Sequence, residues 1–205
     1  MVENYTEEED KLISWFKENY INMIIGIVVG TVLVLGYNYQ QDDVLSNQYE
    51  ISLKYEKALA NYQENKYSDI LALSQELSKT DPKNIYTSLA NLYSARIYHD
   101  KKQYDKALTS LNYVVQNSQS DEILNIAKLR TARILIYLKR YDEAKAIIIS
   151  IDNYITQVIP TELLGDVEYY SNNLKEAKKI YQLSLKNEMT PNKRKIIENK
   201  INSIN

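Results

Sequence analysis

Between Glu18 and Asp42 the chain carries no charged residue, and the run YINMIIGIVVGTVLVLGYNY from Tyr20 to Tyr39 is apolar almost throughout. A helix of about 20 such residues crosses roughly 30 Å of hydrocarbon. Asn22 and Thr31 interrupt its apolar core, and Thr31 can return its hydroxyl to the backbone. Tyr20, Tyr37 and Tyr39 mark the two ends, where amphipathic rings prefer the headgroup layer. Nothing else in the sequence is apolar enough to bury this helix on all sides, so it reads as a membrane span. A secretory leader would begin basic and end at a small-x-small site. Here the start is acidic and Gly36-Tyr37-Asn38-Tyr39-Gln40 offers no such site, which predicts an uncleaved anchor.

The span divides the chain into an acidic arm (1–19), the anchor (20–40) and a large polar domain (41–205). Lys11 and Lys17 precede the span, whereas the first base beyond it is Lys54. That bias places the N-terminus in the cytoplasm and the large domain outside. In the arm, Thr6-Glu7-Glu8-Glu9 has the spacing of a capping box. Leu12, Ile13, Trp15 and Phe16 follow as a one-sided apolar face. They predict a short helix in the membrane interface with Trp15 at headgroup depth, or else a docking helix for a cytoplasmic partner. Within the span, Gly26 and Gly30 form a GxxxG pair that would let a second membrane helix approach closely.

Beyond the span a repeat emerges. Lys66-Tyr67-Ser68-Asp69-Ile70, Gln103-Tyr104-Asp105-Lys106-Ala107, Arg140-Tyr141-Asp142-Glu143-Ala144 and Asn173-Leu174-Lys175-Glu176-Ala177 align. The aromatic or Leu position recurs in steps of 37, 37 and 33 residues. Twelve residues before the last position of each block lie Ala58, Ala95, Ala132 and Gly165, all small. One small position on each of two helices, at a period near 34, is the tetratricopeptide pattern. Tyr98 and Tyr181 are expected to fill the gaps between paired helices. Ile70 departs from the usual Ala, and no Trp opens any repeat. Helix pairs are predicted at about 45–64 and 67–79, 85–100 and 103–117, 121–138 and 141–151, and 159–171 and 174–187. Thr190-Pro191 opens a final helix over about 191–202. Its face of Lys193, Arg194, Lys195, Glu198 and Lys200 suits the polar cap that a solenoid needs. The fold class is therefore all-α: one N-terminal transmembrane helix, then a tetratricopeptide-like solenoid of about four helix pairs with a C-terminal capping helix. Only 4 Gly and 3 Pro in 205 residues agree with that.

The residues narrow the chemistry sharply. His99 is the only histidine and there is no Cys, so Ser-His-Asp triads, thiol chemistry and multi-His or thiolate metal sites are excluded. No GxGxxG or GxxxxGK[ST] loop exists to cradle a phosphate. Neither a catalytic residue nor a cofactor is expected, and no enzyme activity. Of the 25 Lys and Arg, all but Lys11 and Lys17 follow the span. Of the 27 Asp and Glu, all but Glu3, Glu7, Glu8, Glu9, Asp10 and Glu18 do. The domain is near neutral, about +2, and has no field suited to nucleic acid.

What remains is a binding surface. First helices of stacked pairs line the concave side. Counting from the small positions assigns it Tyr55, Leu59 and Tyr62, then Leu92, Arg96 and His99, then Leu129, Arg133 and Ile136, and finally Glu162, Asp166 and Tyr169. This groove would be aromatic and aliphatic with two Arg, turning acidic at its far end. It would suit a peptide with apolar side chains and an acidic residue. Alternatively, Arg96 and Arg133 pair with acids of neighbouring repeats.

From end to end the chain also resembles the YfgM-like family, the ancillary subunit of the SecYEG translocon in bacteria. The residues that carry the resemblance are Glu7-Glu8-Glu9, Trp15-Phe16-Lys17-Glu18-Asn19, the Gly-studded anchor closing at Gly36-Tyr37-Asn38-Tyr39, Leu129-Arg130-Thr131-Ala132-Arg133, Gly165-Asp166, Thr190-Pro191 and Lys200-Ile201-Asn202. The resemblance implies a single-pass bacterial inner-membrane protein with its repeats in the periplasm. It implies association with a SecYEG-type translocon and with a membrane-anchored periplasmic chaperone of the peptidyl-prolyl isomerase class. The implied role is passing newly translocated, unfolded polypeptide to periplasmic chaperones. The competing expectation is a tethered repeat scaffold for another envelope-assembly or signalling process.

Overall fold

A computed structural model describes residues 7–204. Thr6, and with it the expected capping box, lies outside them. Among the described residues every regular element is helical. Helix α1 runs unbroken over Glu7–Gln63. No separate interfacial helix precedes the span and no break follows it. The reason is compositional: after Gly36 the next glycine is Gly165 and the first proline is Pro82, so nothing interrupts the backbone ladder. The boundary between two compact units falls within α1, at Leu53 and Lys54.

In the first unit, Glu9–Tyr37 forms one segment long and apolar enough to cross a membrane. Most of its large side chains, among them Ile24, Val28 and Leu35, are exposed. Thr31 donates to the Ile27 carbonyl at 2.8 Å, so its hydroxyl is satisfied within the helix. A Cβ at Gly26 or Gly30 would meet nothing within 4 Å, so the small-residue face is open.

In the second unit the end of α1 is followed by α2 (Ser68–Thr80), α3 (Ile85–Asp100), α4 (Tyr104–Asn117), α5 (Asp121–Tyr137), α6 (Tyr141–Ile149), a 3-10 turn (Tyr154–Thr156), α7 (Val158–Tyr170), α8 (Leu174–Ser184) and α9 (Pro191–Asn202). The four pairs fall where the period places them. All eight repeat positions are buried: Ala58, Ala95, Ala132 and Gly165 on the first helices, Ile70, Ala107, Ala144 and Ala177 on the second. Ile70 is fully buried, so the first repeat fills with a larger side chain the space that Ala takes elsewhere. At Gly165 the fit is tightest, because a Cβ there would overlap the ring of Tyr181.

One turn joins the helices of every pair. Asn65, Lys102, Lys139 and Asn172 are left-handed, with φ between 58° and 65°, and each lies two residues before the aromatic or Leu position. The residue after each donates its amide five residues back: Lys66 to Asn61, Gln103 to Tyr98, Arg140 to Leu135 and Asn173 to Glu168, at 2.8–2.9 Å. These bonds satisfy the carbonyls that a helix C-terminus leaves open. Between pairs, Asn84, Ser120 and Thr190 cap α3, α5 and α9 by accepting from the amides of Tyr86, Ile123 and Lys193. The core runs through Leu111, Val114, Ile134, Leu135, Ile148 and Val167. Ile197 of α9 and Ile204 close it against Ala177 and Tyr181.

Candidate partner-binding surface

The groove positions separate into three environments. In repeat one, Tyr55 is buried against Tyr86 and Tyr93, with ring centroids 5.2 and 6.5 Å away. Burial, with the neighbouring Tyr93 and Tyr86, pushes its hydroxyl up to about 12. Tyr62 is half-buried between Tyr93 at 4.8 Å and Tyr67 at 5.3 Å. Leu59 is half-buried. Tyr93, which joins both tyrosines, was not among the expected groove residues. Its aromatic ring one turn from Arg96 was the available signal.

In repeats two and three, Leu92 is buried, and Leu129 and Ile136 are half-buried against the core. These three support the groove more than they line it. Arg96, His99 and Arg133 are exposed and come together. With Asp100 and Arg130 they surround a hollow of about 320 Å³ between α3 and α5, floored by Ala95, Leu111 and Ile134. Arg130 escaped the repeat count because it sits one turn before Arg133, on the side facing α3. Its Nη1 donates to the Leu92 carbonyl at 3.2 Å. Burial, together with the like charges of Arg96 and Arg133, holds its pKa below the usual arginine value. Pairing of the two expected arginines with acids of other repeats is not found. Arg96 Nε is 4.0 Å from Asp100 Oδ2 in its own helix, and Arg133 makes no hydrogen bond or ion pair with any described residue.

In repeat four the expectation of an open acidic end is corrected. Glu162 is buried and accepts from Lys193 and Lys200 of α9. Asp166 Oδ1 accepts from Lys200 at 2.6 Å and from the Tyr181 hydroxyl at 2.6 Å. The two lysines therefore do not belong to a solvated cap face: each is about 30% exposed and turned onto α7. Burial alone would raise the Glu162 pKa, but the hydrogen bonds from Lys193 and Lys200 outweigh it and hold it below the usual glutamate value. Tyr169 is half-buried, 5.4 Å from Tyr170. Among the described residues no three acidic or histidine side chains converge to hold a metal.

A family model described as a tetratricopeptide repeat-like domain matches residues 13–205. Several relatives carry the name ancillary SecYEG translocon subunit, among them the following three. That of Aggregatibacter actinomycetemcomitans is 28% identical over 187 residues, covering 89% of this chain and 91% of its own. That of Escherichia coli (strain K12) is 24% identical over 202 residues, covering 98% and 97%. That of Buchnera aphidicola subsp. Acyrthosiphon pisum is 26% identical over 188 residues, covering 92% and 95%.

Proposed function

The chain belongs to the tetratricopeptide repeat-like domain family, and from that premise we propose that it is a non-enzymatic, membrane-anchored accessory subunit of a SecYEG-type translocon. Its repeats face the periplasm and help hand newly translocated polypeptide to periplasmic chaperones, among them a membrane-anchored one of the peptidyl-prolyl isomerase class. The observation that carries this reading is the end-to-end similarity to proteins of that name, anchor and repeats together. Two physical features support it. An apolar helix supplies the tether, and the first-helix face offers aromatic rings and the guanidinium groups of Arg96, Arg130 and Arg133, of the kind that hold a polypeptide segment.

Site-specific photocrosslinking in intact membranes tests it, with probes at Val29 in the span and His99 in the groove. Both positions are exposed, whereas Leu92, central to the groove on repeat counting, is buried. Crosslinks to translocon subunits or to nascent secreted chains are the expected result. Crosslinks confined to unrelated envelope proteins would overturn the translocon reading in favour of a tethered scaffold.

A further inference from the structure

We infer that the hollow between α3 and α5 is a carboxylate subsite, taking one Asp or Glu side chain of a bound polypeptide segment. This rests on the reading of the first-helix face as a polypeptide-binding surface and names what one part of it recognises. Three guanidinium groups (Arg96, Arg130 and Arg133) surround the hollow, against a single lining carboxylate, Asp100. That carboxylate is engaged from its own helix, by Arg96 at 4.0 Å and His99 Nδ1 at 3.2 Å. Arg133 has no partner among the described residues, and Arg130 spends one donor on the Leu92 carbonyl. Like charges gathered at a half-buried site are unfavourable until an anion joins them. The planar guanidinium fork matches a carboxylate with two parallel hydrogen bonds. The floor of Ala95, Leu111 and Ile134 keeps water from part of the site, which strengthens any charge pair formed there.

The surroundings select the class of ligand. The domain is near neutral overall, so it lacks the many dispersed cations that bind a polyanion. The positive charge is focused at one point, which suits a single carboxylate. Aromatic groups flank that point. On one side Tyr93, one turn before Arg96 on α3, packs against Tyr62 with ring centroids 4.8 Å apart. On the other side His99 leads to Tyr104 at 5.6 Å and on to Tyr137 at 4.9 Å. Tyr137 is 65% exposed. An acidic residue with aromatic or aliphatic neighbours therefore fits best.

The test is selection from a random dodecapeptide library on the full chain in lipid nanodiscs. Wild type is compared with R96Q/R133Q and with R133Q alone, which removes no hydrogen bond or ion pair among the described residues. Peptides enriched over empty nanodiscs are resynthesised with the acidic residue changed to its amide. Recovered peptides are expected to share one Asp or Glu among apolar residues. Wild type should bind the acidic form about tenfold more tightly than the amide form, and R133Q should lose most of that difference. Recovered peptides with no acidic position, or a preference unchanged in both variants, would overturn the carboxylate subsite while leaving a polypeptide groove in place. No enrichment over empty nanodiscs would overturn the groove and the subsite together.

Discussion

Lys200 Nζ lies 2.6 Å from Asp166 Oδ1, joining the last helix to the first helix of the fourth repeat. The same oxygen accepts from Tyr181, whose ring Lys200 also overlies at 5.6 Å. Lys200 and Lys193 share Glu162, which is 6% exposed. Desolvating these charges is costly, and their mutual hydrogen bonds offset that cost only when every partner is present. The network thus fixes where α9 docks more than it adds net stability.

Removing the cations alone leaves a buried, uncompensated carboxylate. A K193M/K200M double variant is expected to lose about 3–5 kcal/mol. Adding E162Q should recover part of that loss. Thermal unfolding of the full chain in nanodiscs, followed by circular dichroism, reads both effects.

The same carboxylate sets an acid limit. The folded-state pKa of Glu162 is depressed, so its contribution is fully present above the ordinary glutamate value of 4.5 and is lost as pH falls through the lower folded value. Glu168 is depressed too, because hydrogen bonds from Lys145 and Asn173 outweigh its burial. The melting temperature should hold from pH 7 to about 5 and then fall steeply. The fall should be shallower in E162Q.

Gly165 has no room for a methyl group. G165A is expected to cost about 1–3 kcal/mol, because the Tyr181 ring must move and its bond to Asp166 with it. Y181F keeps the ring in place and loses only the hydroxyl's bond to Asp166, which Lys200 still holds, so it should cost less, about 1 kcal/mol. Equal melting temperatures for the two variants would contradict this account.

Lys139 occupies a left-handed turn at φ 61° with its side chain exposed. K139G should stabilise the domain by about 1 kcal/mol by relieving the Cβ clash, in spite of the added freedom of the unfolded chain. A lowered melting temperature would show that the Lys side chain contributes more than the strain costs.

The open Gly26–Gly30 face predicts lateral association of the anchor. G26I/G30I should lower resonance energy transfer between labelled copies, or between the anchor and a translocon helix, without shifting the melting of the repeats. The absence of native Cys makes single labels simple to place: Q119C and S14C should react with an impermeant maleimide on opposite sides of the membrane, outside and cytoplasmic respectively.

Local pattern was enough to read the span, the four helix pairs and the small residues at their crossings. An apolar run without charge and a fixed spacing of Ala and Tyr are properties of the chain itself. Even the turns had a local mark, since Asn or Lys always stands two residues before the aromatic position. Tertiary structure decided which charges remain free. Asp166 and Arg133 occupy the same position of their repeats, yet α9 folds back to neutralise Asp166 while no described residue pairs with Arg133. Arg130 lay off the counted stripe and enters the cluster only because α5 turns it toward α3. Charge pairing depends on which helices meet across tens of residues, and a period of about 34 residues carries no information about that.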